Sequence, residues 1–293
     1  MSATALALVL LAAWMHATWN IVAKKSGGDT RFALMTVLFS VTLWAPVGLW
    51  AAWGVVAQWA WLHWGVLVVS ACLHTVYVTA LLRGYRLSDL TVVYPMARGT
   101  GPLLASLGAV VLLHESLSGL AMAGVGAVAV GVFLLAGGTG LWAQAHDVAQ
   151  RARVNAGLRW GAITGTLIAT YTLVDGYAVK MLLISPILVD YVGNLLRLPL
   201  LLPNALRDRA GFAALWRTQW RSALIVAVLG PMGFVIVLYA MRLAPISHVA
   251  PAREISMLFA ALLGGRLLGE GDRAMRLAGA ACMAAGVVAL ALG

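Results

Sequence analysis

The chain has 293 residues, of which 62% are hydrophobic and 10% charged, with a formal net charge of +10. Soluble domains carry about 25% charged residues, so this composition excludes an ordinary water-soluble enzyme, a disordered chain and a secreted disulfide scaffold. A mean hydropathy of +0.92 points instead to an all-α integral membrane protein, in which each spanning helix satisfies its own backbone hydrogen bonds.

Apolar runs long enough to cross a bilayer, about 20 residues each, occur at 3–22, 32–53, 60–82, 88–113, 118–136, 158–179, 185–203, 222–241, 247–268 and 274–292. They predict ten transmembrane helices. The first run has no basic segment before it, and Trp14, His16, Trp19 and Asn20 interrupt it where a signal-peptide cleavage site would fall, so it reads as a retained helix. The stretches Leu141–Arg159 and Asn204–Arg221 mix Trp142, Trp216 and Trp220 with Arg and Gln. They predict short helices lying in the headgroup layer.

Basic residues give the orientation. Fifteen Lys and Arg, from Lys24 and Lys25 to Arg273 and Arg276, fall on one set of connections, and only Lys180 and Arg242 on the other. The positive-inside rule places both termini on the periplasmic side of a bacterial inner membrane. The positive charge thus answers to lipid headgroups, and nucleic acid is not an expected partner. Cys72 and Cys282 lie inside apolar runs and read as packing residues. The sequence has no nucleotide-binding loop, nucleophile elbow or metal-ligand cluster, so no catalytic residue, metal or cofactor is expected.

The second half repeats the first at an offset of about 156 residues. Lys24 falls on Lys180, Arg86 on Arg242 and Pro95 on Pro251; one residue out of step, Arg98 falls on Arg253, Glu115 on Glu270, Gly124 on Gly279 and Gly131 on Gly286. A unit of five helices is odd, so its second copy enters the bilayer inverted. Residues 1–138 form one repeat, 139–156 a cytoplasmic linker and 157–293 the second repeat. Inverted repeats are a mark of secondary transporters that bind substrate near the midplane.

The fourth run reads Val93-Tyr94-Pro95-Met96-Ala97-Arg98-Gly99 and continues apolar to Glu115; the ninth reads Ala250-Pro251-Ala252-Arg253-Glu254 and continues to Glu270. Each precedes a Gly-rich run. In these features the chain resembles the drug/metabolite transporter superfamily, in its EamA-type ten-helix branch, and the aromatic-rich first half is similar to its aromatic amino acid exporters. The resemblance implies alternating-access export of an amino acid or similar amphiphilic metabolite. Phosphorylated sugars, nucleotide sugars and cationic drugs are the alternatives within the fold, and a membrane enzyme or scaffold lies outside it. Small-molecule substrate and membrane lipid are the expected partners; monomer and homodimer both stay open.

Charges inside spans cost about 2.5–3.5 kcal/mol each on insertion scales, so Arg98, Asp175, Asp190, Arg197, Arg253 and Glu254 must face protein or a water-filled cavity. Arg98 and Arg253 can bind substrate or tie bent helices to a neighbour. Asp190, Asn194 and Arg197 share one helix face and read as a polar cluster satisfied within the bundle. Asp175, one turn beyond Tyr171, is a candidate for a substrate ammonium or a proton, and Glu254 for a proton or ion. His16, Trp19 and Asn20, His74 and Tyr77, and Tyr94 with Arg98 each combine a ring with a hydrogen-bonding group. That combination suits an aromatic-sized amphiphile, with ordinary packing as the alternative. Gly230 and Gly233 fall opposite His74 and Tyr77 in the repeat register and would leave room for a ring. Pro95 and Pro251, at matched positions, are the expected rocking points, with a static kink as the alternative.

Overall fold

The structure, a computed structural model, describes residues 1–26, 29–88, 90–135, 147–259 and 273–293. Trp142 and Glu270, singled out above, lie outside these residues. Eleven α-helices are described: α1 (Ala3–Lys25), α2 (Thr30–Leu43), α3 (Ala45–Ala52), α4 (Trp61–Leu87), α5 (Leu90–Leu113), α6 (Gly119–Leu135), α7 (Val148–Lys180), α8 (Pro186–Arg207), α9 (Arg209–Leu243), α10 (Ile246–Ala252) and α11 (Arg273–Leu292). Short 3-10 turns occupy Val56–Gln58 and Arg253–Ile255. Among the described residues there is no strand. Four helices, α1, α4, α5 and α9, each contain a stretch long and apolar enough to cross a membrane, and α2 with α3 makes a fifth when the bent pair is taken as one span. Large apolar side chains cover the outside: Trp50, Trp53 and Trp61 are 75%, 87% and 82% exposed, as suits a surface bathed by lipid rather than water.

Caps and prolines set several boundaries. The Asp29 carboxylate accepts from the backbone N–H groups of Arg31 and Phe32 at the start of α2, and Asp208 accepts from that of Gly211 at the start of α9, so orphan amide donors are satisfied. Arg31 bonds to both Asp29 and Asp208, which ties the two helix starts together. The run expected as one helix over 32–53 instead bends by 60° between α2 and α3. Pro46, in the first turn of α3, lacks the N–H that an uninterrupted ladder requires.

The separate headgroup-layer helix expected within 204–221 does not form. Residues 209–221 are the opening turns of the 35-residue α9, because the run from Gly211 to Leu229 contains no proline to interrupt helical hydrogen bonding. In the same way 148–159 belong to α7, capped by Asp147.

In the packing, α6 lies along α11, α5 along α7, α1 along α9 and α4 along α7; α2 meets both α8 and α9, and α4 meets α8. The α6–α11 crossing is close because glycines face backbone. A Cβ on Gly124 would stand 2.8 Å from the Gly286 carbonyl oxygen, and one on Gly131 would stand 2.8 Å from that of Gly279. Any larger side chain must therefore push the helices apart. Gly131→Val is expected to lower stability by about 1–3 kcal/mol, the usual cost of overpacking, read as a fall in the detergent melting temperature. An unchanged melting temperature would mean that the crossing is not tight. The chain ends meet as well: the Met1 ammonium donates to the Ala291 carbonyl at 2.7 Å.

Candidate substrate site

Three groups of polar residues inside the bundle contain its buried carboxylates and arginines among the described residues. The first joins α1, α5 and the 3-10 turn after α10. Arg98 on α5 donates to both carboxylate oxygens of Glu254, at 3.3 and 3.4 Å, and its guanidinium also meets His16 Nε2 of α1. Tyr94, one turn away, lies with its ring 5.4 Å from the Arg98 guanidinium, a cation–π distance. Trp19 meets the His16 ring edge-on at 4.8 Å. Arg253 pairs with Glu254 Oε1 at 3.8 Å, beyond hydrogen-bond length. Its residue is 6% exposed, and its Nε has no hydrogen-bond partner among the described residues.

The second group joins α4, α7 and α9. Asp175, 1% exposed, receives the Ser70 hydroxyl on Oδ1 at 2.5 Å and meets His74 Nε2 through Oδ2 at 2.9 Å. The His74 ring stacks on Tyr171 at 4.1 Å and meets the Phe234 ring edge-on at 5.5 Å. Tyr77 stands 5.4 Å from Tyr171. The helical spacing 70, 74, 77 places Ser70, His74 and Tyr77 on one face of α4. Tyr77 and Tyr171 feel the charges of both Arg98 and Arg253, which brings the two groups into one electrostatic neighbourhood.

The third group lies on α8. The Asn194 side chain donates to the Asp190 carboxylate at 3.0 Å and accepts from Arg197 at 2.6 Å. This is the internally satisfied cluster that the spacing predicts.

Most of the residues singled out in the sequence thus converge, with three differences. Asn20 turns back to its own helix and donates to the His16 carbonyl at 2.7 Å. Gly233 is not free space opposite Tyr77: a Cβ there would touch Met15 of α1 at 3.4 Å, because α9 packs along α1. A Cβ on Gly230 would meet nothing within 4 Å, so room remains there. The matched prolines also differ. α5 continues through Pro95, whereas α10 gives way to the 3-10 turn two residues after Pro251. Ser70 and Phe234 were not among the residues picked out. Ser70 sits one turn before His74 and was legible from that spacing; nothing local marks Phe234, which reaches the site only through helix packing.

At one end of the bundle, a clamp joins α7 to the start of α10. Glu115 accepts from Lys180 Nζ at 2.8 Å, from the backbone N–H groups of Ile246 and Ser247 at 2.9 Å each, and from the Ser247 hydroxyl at 2.9 Å. His114 makes this possible by adopting a left-handed φ of 53°, while the Glu115 N–H bonds back to the Ala109 carbonyl; together they close the α5 C-terminus. Burial raises the Glu115 pKa, but the Lys180 and backbone hydrogen bonds outweigh it and hold the carboxyl below its usual value. The clamp's contribution is therefore complete above about pH 4.3 and fades as pH falls through the lower, folded value. Glu115→Ala leaves the Ile246 and Ser247 amides without this acceptor and Lys180 with the Ala244 carbonyl at 3.4 Å, and is expected to cost about 2 kcal/mol at neutral pH, with the deficit against wild type narrowing under acid. A thermal shift at pH 7 equal to that at pH 4 would refute the assignment.

A multi-pass helical membrane protein with paired charges at its centre is the class that this architecture defines. Residues 155–292 match the EamA-like transporter family. The match covers the second half of the chain, and it is one of similarity to a family of membrane transporters. A solved structure described as "Crystal structure of protein" superposes with a TM-score of 0.72 over 100% of this chain and 98% of its own, at 16% identity; this similarity is one of fold alone. No curated protein matches the sequence.

Proposed function

We propose that the protein is a secondary exporter of amino acids, aromatic or apolar ones foremost, or of similar amphiphilic metabolites, working by alternating access in a bacterial inner membrane with both termini periplasmic. Arg253 carries this reading. Arg98 is neutralised by Glu254, and Arg197 bonds to Asn194 beside Asp190. Among the described residues, Arg253 is a buried guanidinium whose carboxylate neighbour, Glu254 at 3.8 Å, is already hydrogen-bonded to Arg98, and its charge reaches His16, Tyr77 and Tyr171. One such loosely paired cation suits one substrate carboxylate. A sugar phosphate or nucleotide sugar, with its greater negative charge, would call for several. In this reading His16, Trp19, His74, Tyr77, Tyr94 and Tyr171 line the substrate, Arg98 orients Glu254, and Pro251 marks a bending point.

Several contacts favour ten crossings in two inverted five-helix repeats, 1–138 and 157–293. Exchanging the halves carries the α1–α9 contact onto α4–α7, and the α2–α9 contact onto α4–α8. The Gly124–Gly286 approach becomes Gly131–Gly279, in the register that aligns Gly124 with Gly279. Cys282 Sγ lies 3.2 Å from the carbonyl of Ala127, its own repeat equivalent, as residues on a dyad must. Such paired interfaces supply the two states that alternating access needs.

The test is counterflow in proteoliposomes with labelled amino acids, their carboxyl-amidated forms and a sugar phosphate. Free amino acids should exchange and the amides should not. Exchange of the sugar phosphate alone would replace this reading.

A further inference from the structure

We propose that the outward face of the last turns of α9 binds one phospholipid with a net negative headgroup, its phosphate on Arg242 and its two acyl chains on either side of Tyr239. The site does not depend on what the protein transports. Two open grooves meet at that tyrosine. The first, of about 420 Å³, lies between α1 and α9 and is lined by Leu8, Ile236, Tyr239, Arg242 and Leu243. The second, of about 510 Å³, lies between the end of α3, the start of α8 and α9, with Trp50, Trp53, Ser185, Ile187 and Tyr239 among its walls. Both fall in the size range of small-molecule sites.

Apolar and polar walls are divided as a lipid requires. On α9, Ile236, Tyr239 and Leu243 recur at helical spacing and make one stripe; Tyr239 and Leu243 are 36% and 54% exposed. Acyl chains cover such a stripe without leaving a backbone polar group unpaired, because the helix satisfies its own. Polar groups gather at the helix ends instead. Arg242 stands in the last turn of α9, three residues after Tyr239 and therefore on its side of the helix. At the start of α8 the Ser185 side chain makes no capping hydrogen bond. Its hydroxyl thus borders the second groove together with the positive end of the α8 dipole. Trp50 and Trp53 add indoles, which favour the boundary between headgroups and tails.

Charge selects the occupant. Lys180 and Arg242 are the lysine and arginine on the connections at this end of the bundle. Lys180 is bound by Glu115, whereas Arg242 pairs with no carboxylate among the described residues. A guanidinium takes a phosphate through two parallel N–H bonds. No residue lining either groove is acidic, so a headgroup ammonium finds no counter-charge here and a lipid that carries the phosphate charge alone is preferred. A second copy of the chain fits less well, since a twofold contact through these grooves sets two Arg242 side chains near each other with no carboxylate between them. Arg242 lies two residues before Ala244, whose carbonyl accepts from Lys180 at 3.4 Å. The bound lipid therefore braces the corner that the Glu115 clamp closes, and by binding the folded chain it raises the melting temperature.

The test compares delipidated wild type, Arg242→Gln and, as an exposed control near the other end of α9, Arg217→Gln in detergent. Native mass spectrometry should show one phosphatidylglycerol retained by wild type and by Arg217→Gln, and its affinity should fall about tenfold or more in Arg242→Gln, the loss expected for one hydrogen bond to a charged group. Phosphatidylglycerol should raise the melting temperature of the first two proteins and not of the third. Phosphatidylethanolamine and inorganic phosphate should leave it unchanged, and lysophosphatidylglycerol, with a single chain, should bind more weakly than the two-chain lipid. Retention unchanged in Arg242→Gln, equal binding of phosphatidylethanolamine or of the one-chain lipid, an equal shift from inorganic phosphate, or a doubled mass with no lipid bound would each overturn the proposal.

Discussion

Glu254→Gln is expected to be the most damaging single substitution in the bundle. It leaves Arg98 and Arg253, 6% exposed each, buried without the carboxylate that now lies 3.3 Å from one and 3.8 Å from the other. Removing one partner of a buried ion pair costs about 3–5 kcal/mol, because the surviving charge is stranded. Folded yield and the detergent melting temperature should both drop. Adding Arg98→Gln removes the stranded charge beside Glu254 and should restore much of the loss, since buried pairs often contribute little net stability over neutral replacements. A double variant as unstable as the single one, or a single variant as stable as wild type, would show that Glu254 is not holding the two arginines. The cycle of four proteins isolates the pair from its surroundings.

Arg253→Gln should have the opposite profile: a fold kept, a function lost. The Arg98–Glu254 hydrogen bonds remain, and the removed guanidinium takes with it an Nε that has no hydrogen-bond partner among the described residues. Stability should stay near wild type. If Arg253 receives the substrate carboxylate, the variant loses a charge-assisted hydrogen bond worth about 1.5–3 kcal/mol, which corresponds to about 10- to 150-fold in affinity. Counterflow at subsaturating amino acid reads this directly. Arg253→Lys keeps the charge but not the forked geometry, so it should fall between the two. Wild-type affinity in Arg253→Gln would remove Arg253 from the substrate and leave it a structural role.

Some features of the site were legible one helix at a time. The spacing of His74 and Tyr77, of Tyr94 and Arg98, and of Asp190, Asn194 and Arg197 placed each set on a common face, because helical periodicity alone fixes which side chains are neighbours along a helix. The polar cluster of α8 followed from this, since all its bonds are made within a turn or two. Contacts across helices were not legible in the same way. Glu254 adjoins Arg253 in sequence, yet its hydrogen bonds go to Arg98, 156 positions away. Gly233 looked like free space by repeat register, but α9 presses it against Met15. Phe234 carries no polar group and no motif, and it matters only because α9 brings it to His74.

The Glu115 clamp shows the same division. Its residues stood out in the sequence, Glu115 as a repeat mark and Lys180 as an exception to the charge rule, but nothing linear joined them. The link comes from the backbone amides that open α10, which are free because a helix start has no earlier carbonyl to bond. Hydropathy and charge placement constrain the chain against water and lipid, an environment nearly uniform along each helix, and so dictate a helical membrane protein with an expected orientation. Which carboxylate neutralises which cation depends instead on the angle and register at which helices cross. Those are selected by steric fit between distant segments, such as the glycines of α6 and α11. The loose pairing of Arg253 with Glu254 and the pairing of Asp175 with His74 therefore emerge only once the helices are packed.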